Sequence, residues 1–373
     1  LFFRNDTENS GKITFQKISP SKETSDKPSI PFTFGSKRPI MAIILALESS
    51  CDDTSAAIVC DGVVRSNVVA SQEMHLQYGG VVPEVAARAH LTQLIPVTEE
   101  AFKQAGVRKE QIDAVAFTRG PGLLGSLLVG VSFAKAFALA RNIPLIEVNH
   151  LAAHVLAHFA SPPYPAFPFL CLTVSGGHTQ IVRVDDYLVM QVIGQTRDDA
   201  AGEAFDKAGK MMGLTYPAGP LIDRLARKGH VRFPFPQPRL KGYDYSFSGI
   251  KTSVLYFLRR EKERNPQFVE ENLADLCASV QEAIVRTLLL PFEAAAAESG
   301  IKELAIAGGV SANSRLRNLF QETAAKRGWN AYIPDMAFCT DNAGMIGIAA
   351  HYKYLNGEFA TQEIEPLARF PLS

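Results

Sequence analysis

Three observations predict an α/β fold of two duplicated lobes, each built on a mixed sheet, with a cleft between them. One element order (strand, short polar loop, strand, tight turn, strand, then helices) occurs twice along the chain. In both copies the loop after the first strand is rich in Gly, Ser, Thr or Asp. In the second copy a later apolar strand again runs into glycines and a helix. Strands and helices that recur in one order imply layered α/β lobes rather than a helical bundle or a sandwich.

The first copy begins at Met41 with the apolar run IILALESS, which ends in polar residues. A second run, Thr54–Cys60, meets Asp61-Gly62, a pair suited to a two-residue hairpin turn, and a third spans Val63–Ala70. Helices are predicted over Val85–Gln104 and Ser126–Ala140, with a strand at Ala114–Thr118 between them. The second copy opens with Phe169–Val174, then Ser175-Gly176-Gly177-His178, Thr179–Val184, a turn at Asp185-Asp186, and Tyr187–Gly194. Helices follow at Glu203–Met212, Pro220–Lys228 and Asn272–Glu298, and the strand Leu304–Ala307 runs into Gly308-Gly309 and a helix beginning near Asn313. The chain divides accordingly into a leader (1–40), lobe I (41–149), lobe II (150–335) and a C-terminal segment (336–373) that returns to lobe I.

Apolar residues make up 47% and charged residues 20% of the 373 residues, which excludes a disordered or collagen-like chain. Lys plus Arg and Asp plus Glu are both 38, so overall charge steers no polyanion, although a local basic patch remains open. Five cysteines in irregular spacing, with no CxxC pair, suit reduced thiols of a cytoplasmic protein. The apolar stretch Leu123–Ala140 carries Lys135 and many small residues and follows Gly-Pro-Gly, so it is expected as a buried helix and not a membrane span. Residues 1–40 hold ten Ser/Thr and four Pro without a helical or strand period, which predicts a disordered leader with no function of its own.

His150-Leu151-Ala152-Ala153-His154 places two imidazoles one helical turn apart on one face, where they can share a metal or serve as ordinary core histidines. His158 extends that face as a third ligand or a surface residue. Leu151 stands where an HExxH protease carries its general base, which excludes that chemistry. A carboxylate should help close the site, and Asp341, ahead of the small-residue helix Ala343–Ala350, is a candidate whose alternative role is a helix cap. In Ser175-Gly176-Gly177-His178-Thr179 the glycines permit close approach of a ligand, and the hydroxyls and imidazole can bind phosphate oxygens. Gly308–Asn313 leads from a strand into a helix N-terminus, which suits a phosphate, sugar or base. Asp206 is a candidate ribose acceptor, or one residue of a solvated helix face. Gly219, in a breaker cluster before the helix that carries Asp223, can give an adenine room, or simply make a turn. Residues 224–251 hold seven Lys/Arg against one acid, Asp244, with Phe233, Phe235, Tyr243, Tyr245 and Phe247 interleaved. That composition fits either a single-stranded RNA loop or a proline-broken surface arm.

The paired lobes with polar loops resemble the actin, sugar-kinase and Hsp70 superfamily, an actin-like (RNase H-like) architecture. The motifs ALESSCDDTSAA, YGGVVPEVAAR, GPGLLGSLLVG, VSGGHTQ, DDAAGEAFDKAGKMMGL, YPAGP, YSFSGIKT, IAGGVSAN and FCTDNAGMIG occur together, in order, between Met41 and about Phe370. In that combination the chain resembles the TsaD family, the bacterial tRNA N6-adenosine threonylcarbamoyltransferases.

The resemblance implies transfer of threonylcarbamoyl from threonylcarbamoyl-AMP to N6 of adenosine 37 in ANN-decoding tRNAs, releasing AMP. It implies His150, His154 and Asp341 as ligands of one divalent metal per subunit, Fe2+ first and Zn2+ second. It places Ser175, Gly176, Gly177, His178, Thr179, Asp206, Gly219, Asp223 and Asn313 around the adenylate. Asp52 is the candidate base or orienting group. The family commonly has Glu after this Asp, whereas this chain has Asp53. A TsaB-like inert paralogue and a TsaE-like ATPase are the implied protein partners, beside tRNA and with no membrane. The two apolar helices of lobe I are candidates for pairing with the paralogue. The rival reading is an actin-like-fold ATPase or kinase, which would hold Mg2+ on acidic groups; the paired histidines argue against it.

Overall fold

The computed structural model describes residues 42–372, apart from 73, 74, 76 and 77. The leader expected over 1–40 lies outside the described residues. The described residues form two compact units: 42–148 with Asn342–Arg369, and Asn149–Asp341 with 370–372.

In the first unit β1 (Ile43–Glu48), β2 (Asp53–Cys60), β3 (Val63–Ser71), β4 (Ala114–Gly120) and β5 (Leu145–Asn149) form a sheet in the order β3-β2-β1-β4-β5. β1, β2 and β3 pair antiparallel, and β4 pairs parallel to β1. Asp61 and Gly62 both have positive φ (49° and 72°), the backbone that a tight two-residue hairpin requires. Helix α1 (Pro83–Ala105) ends on Gly106 in the left-handed conformation, and α2 (Leu124–Arg141) ends on Asn142 likewise. Both pack on the face of the sheet that presents Leu45, Leu47, Ala56 and Ile58.

α2 is buried along one side only. Ser126, Leu127, Gly130, Val131, Ala134 and Ala138 face inward, while Leu124, Leu128 and Leu139 are exposed, so the expectation of a buried helix holds for half of it. The reason is position: α2 lies against α1 and β4, and among the described residues Leu124, Leu128 and Leu139 stay exposed on its outer side. Among the described residues it is the one helix long and apolar enough to cross a membrane by length and composition.

The second unit opens with α3 (His150–Leu156). Its sheet of β6 (Phe169–Val174), β7 (Thr179–Asp186), β8 (Val189–Gln195), β9 (Glu303–Ala307) and β10 (Asn330–Tyr332) runs β10-β9-β6-β7-β8. Read from the opposite edge, this is the order of the first sheet. The match extends to lengths: a six-residue strand, a four-residue loop, an eight-residue strand and a two-residue turn in each unit. Helices α4 (Ala201–Met211), α5 (Ala218–Ala226), α6 (Ser248–Arg264), α7 (Phe268–Glu271), α8 (Leu273–Ser299) and α9 (Ser314–Arg327) complete the unit. One core joins Leu170, Leu172, Val174, Ile181, Leu304 and Ile306 of the sheet to α4, α5, α6 and α8. The chain then returns to the first unit as α10 (Ala343–Leu355), which covers the other sheet face; a Cβ on Gly347 would lie 2.3 Å from Val59 Cγ2, so only glycine lets the helix sit so close.

Some details differ from the sequence reading. β7 continues through Asp185-Asp186 and the chain turns at Tyr187-Leu188, because Asp186 still pairs with Val189. The short strands β5 and β10 and the helix α6 were not foreseen. β10 has three residues, too few to show a period, and α6 begins inside the basic, aromatic segment whose composition masked its helical pattern.

Candidate metal and nucleotide site

The histidine pair is positioned by its own helix cap. Asn149 Oδ1 accepts hydrogen bonds from Leu151 N (2.9 Å) and Ala152 N (3.2 Å), which starts α3 at His150 and puts His150 and His154 on one face. Both histidines are buried, with ring centroids 4.7 Å apart and planes at 86°. Asp341, the last residue of this unit before the chain leaves it, brings Oδ1 to 3.1 Å from His154 Nε2 and 3.5 Å from His150 Nε2. The burial of this carboxylate works to raise its pKa; the charges and hydrogen bonds of the two imidazoles outweigh it and hold the carboxyl well below the usual range.

This donor set fits a metal. The three donor atoms lie within 4.8 Å of one another. Ligands at about 2.1 Å from an ion and at roughly 90–110° to each other stand about 3.0–3.4 Å apart, close to the separations from Asp341. Two neutral imidazoles and one carboxylate suit a borderline divalent ion and leave positions open for a ligand.

His158 is neither a third ligand nor a surface residue. The helix tightens to a single 3-10 turn at Ala157–Phe159, which carries His158 off the ligand face; the ring is buried and Nε2 donates to the carbonyl of Ile306 (3.1 Å). Burial drops its pKa to about 4, so it is neutral at pH 7.

The glycine loop between β6 and β7 is a closed turn. Ser175 N donates to His178 O (2.8 Å), and His178 N donates to Ser175 Oγ (3.1 Å). A Cβ on Gly176 or Gly177 would meet nothing within 4 Å, so both leave open space above the backbone. Thr179 Oγ1 accepts from Ala201 N (2.9 Å), and Gly202 N donates to Ser175 O (3.2 Å), so the first turn of α4 rests on the loop. A Cβ on Gly202 would stand 2.7 Å from that same oxygen, a requirement the sequence reading missed although the glycine lies inside a quoted motif. Gly308 (φ 85°) presses on Val174 in the same way, while Gly309 is open. Burial, together with the nearby His150 and His154, lowers the pKa of His178 to about 4. The loop and the metal triad are therefore electrostatic neighbours in one unit.

The remaining candidates fall into two pairs. Asp206 Oδ1 accepts from Ala218 N (2.7 Å) and the carboxylate also reaches the amide of Gly219, so it caps α5 and lies on no solvated face. Burial raises its pKa. Asp223 accepts from Ser314 Oγ (2.6 Å) and N (3.2 Å) and pairs with Arg227 (2.8 Å). Asn313 caps α9 through Leu316 N (3.0 Å) and donates to Gln281 (2.8 Å). These side chains position the N-terminus of α5, whose first turn contains Gly219, and that of α9, which follows Asn313.

The aromatic rings of 224–251 are not presented for stacking. Tyr245 and Phe247 are fully buried, Phe235 is buried, and Phe233 and Tyr243 pack against the same core, since an arm without its own secondary structure must anchor itself by burying its rings.

In the first unit Asp52 closes the loop between β1 and β2. Two buried groups that sequence reasoning passed over hold that loop: Glu48 accepts from Ser50 N (2.5 Å) and Thr118 Oγ1 (2.7 Å), and His90 Nε2 donates to Cys51 O (3.0 Å). Burial lowers the pKa of His90. Gly122 faces Ser50 O, where a Cβ would come within 2.5 Å, as Gly308 faces Val174 in the second unit.

The family model for TsaD, the tRNA N6-adenosine threonylcarbamoyltransferases, matches residues 63–348. The chain belongs to the TsaD family. A TsaD protein of Riemerella anatipestifer is 59% identical over 336 residues, 89% of this chain and 98% of that one. One of Porphyromonas gingivalis is 55% identical over 333 residues, 88% and 98%. Among solved structures, full-length HypF in a phosphate- and nucleotide-bound form matches with TM-score 0.56 at 14% identity, over 86% of this chain and 56% of that one. Component A of (R)-2-hydroxyglutaryl-CoA dehydratase from Acidaminococcus fermentans matches with TM-score 0.50 at 16% identity, over 84% and 98%. These likenesses establish the actin-like α/β fold. As a TsaD enzyme the chain is a transferase that places threonylcarbamoyl on N6 of adenosine in tRNA.

Proposed function

We propose that the donor is threonylcarbamoyl-AMP, that the acceptor is adenosine 37 of ANN-decoding tRNAs, and that AMP leaves. One observation carries this reading: the triad His150, His154, Asp341 lies beside a glycine loop open enough for phosphate to approach its backbone. His150, His154 and Asp341 hold one divalent metal, Fe2+ by preference and Zn2+ as the alternative, since two imidazoles and a carboxylate suit both. When bound, the metal supplies positive charge to phosphate oxygens of the donor and so favours departure of AMP.

The chain's own residues do the rest. Ser175 to Thr179 receive the phosphate, with His178 neutral and able to donate one hydrogen bond. Asp206 and Asp223 fix the helix ends at Gly219 and Asn313, which cradle the nucleoside. N6 of adenosine attacks the carbamoyl carbon, the C–O bond to phosphate breaks, and AMP takes the electron pair. The lone pair of N6 is delocalised into the ring, so orientation of the two reactants is the main contribution. Asp52 accepts the N6 proton or orients that amine.

The exposed sides of α1 and α2, with Leu91, Ile95, Leu124 and Leu128, support docking of a TsaB-like paralogue, and a TsaE-like ATPase completes the assembly in the cytoplasm. The test is to incubate the chain and its partner proteins with unmodified ANN-decoding tRNA and threonylcarbamoyl-AMP, and to look for the modified nucleoside by mass spectrometry. Product from the wild type and none from His150→Ala/His154→Ala is expected. Product unaffected by those changes would overturn the metal reading, and ATP turnover without tRNA product would overturn the donor.

A further inference from the structure

The basic segment that follows α5 has a specific build in the second unit. From Gly229 to Lys241 it runs extended beside α6. It is tied at one end to the start of α8, where His230 N meets Asp275 (2.8 Å) and Arg232 N and Phe233 N meet Ser279 Oγ (3.1 Å each). At the other end Pro238 packs on Gly249, at the start of α6. Phe233 and Phe235 both point inward onto Phe257 of α6, with ring centroids 5.1 and 5.5 Å away. Pro234, Pro236 and Pro238 favour the extended backbone.

With the rings turned in, the arm turns its charges out. Lys228, Arg239 and Lys241 are exposed, and among the described residues none of the three is ion-paired, whereas Arg227, Arg232 and Lys251 are held by Asp223, Asp275 and Asp199. Tyr256 lies two turns along α6 from Gly249 on the same stripe and is 64% exposed.

The arm also leads to the site. The start of α6 is hydrogen-bonded through Ser246, Phe247 N and Ser248 to Asp198, and Lys251 binds Asp199 (3.1 Å). Two residues further on, Ala201 and Gly202 bind Thr179 and Ser175. Exposed cations on an arm that packs along α6, the helix that carries the exposed ring of Tyr256 and whose start is tied to the glycine loop, match a nucleic acid with charged phosphates and unpaired bases.

We propose that this arm, with Lys228, Arg239 and Lys241, together with Tyr256, is a docking strip for the backbone and an unstacked base of the tRNA substrate. The proposal rests on tRNA being the acceptor. The test measures transfer by the full chain with its partner proteins as a function of tRNA concentration and salt, for wild type, Arg239→Glu/Lys241→Glu, Arg239→Lys/Lys241→Arg and Tyr256→Ala. Unchanged thermal unfolding verifies that each variant folds. The charge-reversed pair should raise KM for tRNA about tenfold or more with kcat nearly unchanged, and flatten its dependence on salt. The charge-conserving pair should restore KM, and Tyr256→Ala should raise it several-fold. Unchanged KM and salt dependence in the charge-reversed pair would overturn the strip while leaving the acceptor intact. Absence of tRNA product from the wild type would instead overturn the acceptor, and the strip with it.

Discussion

His154 Nε2 stands 3.1 Å from Asp341 Oδ1 across 187 residues of chain, and His150 Nε2 adds a third donor 3.5 Å from the same oxygen. Asn149 starts the helix that carries both histidines, so the triad is built by one capped helix and one residue at the unit's far end. One divalent ion per chain is therefore expected after reconstitution, measured by elemental analysis. His154→Ala or Asp341→Ala should weaken it by at least about 100-fold, since loss of a ligand exceeds loss of an outer-shell partner.

Glycines around the loop separate fold from ligand. Gly308→Ala sets a side chain at φ 85° and 2.4 Å from Val174 O, and should destabilise the protein by about 1–3 kcal/mol in urea unfolding. Gly176→Ala meets nothing within 4 Å, so unfolding should barely change. Transfer activity should nonetheless fall if the donor phosphate occupies that space, and full activity in Gly176→Ala would sink this placement.

His158 makes stability depend on pH. Its folded pKa, about 4, lies below the ordinary 6.5, so below pH 6.5 the unfolded chain takes up a proton that the folded chain refuses. The stabilisation is fully present above 6.5 and is lost as pH falls toward 4, by about 3 kcal/mol in total. His158→Gln keeps a donor for Ile306 O and removes the titration. The stability difference between wild type and variant should shrink from pH 7 to pH 4.5, and a constant difference would refute the assignment.

Leu128 lies on the outer side of α2, half exposed, beside the α1 side that shows Leu91 and Ile95. Leu128→Glu should leave thermal unfolding within about 0.5 kcal/mol, as expected for a surface position. Co-purification with the paralogue should be lost. Retained co-purification would move that interface elsewhere.

Much of the architecture was legible because the strands of the two sheets, apart from the short β5 and β10, carry a strong local signal. Phe169–Val174 is apolar at every position but Thr173, as suits a strand covered on both faces, and Asp61-Gly62 is readable as a turn from its chemistry alone. The histidine pair was legible from spacing. His90 and Glu48 were not, since a lone buried polar residue has no periodic signal and reveals its purpose only through partners at Cys51 and Thr118. Phe233 and Phe235 left two readings open, because interleaved rings and cations look alike in a nucleic-acid surface and in an anchored arm, and only their packing shows that the rings serve as anchors.

By itself, then, the sequence determined the duplicated α/β order, the family, and the residue types able to bind metal and phosphate, because these depend on patterns within a few neighbouring residues. The family resemblance implied the triad of Asp341 with His150 and His154, and packing brings it together; tertiary structure alone decided that His158 turns away to Ile306 and that Asp206 and Asp223 serve helix ends. The physical reason is distance along the chain: a carboxylate's role is set by which donors packing brings to it, and no local pattern encodes a contact between residues far apart in sequence.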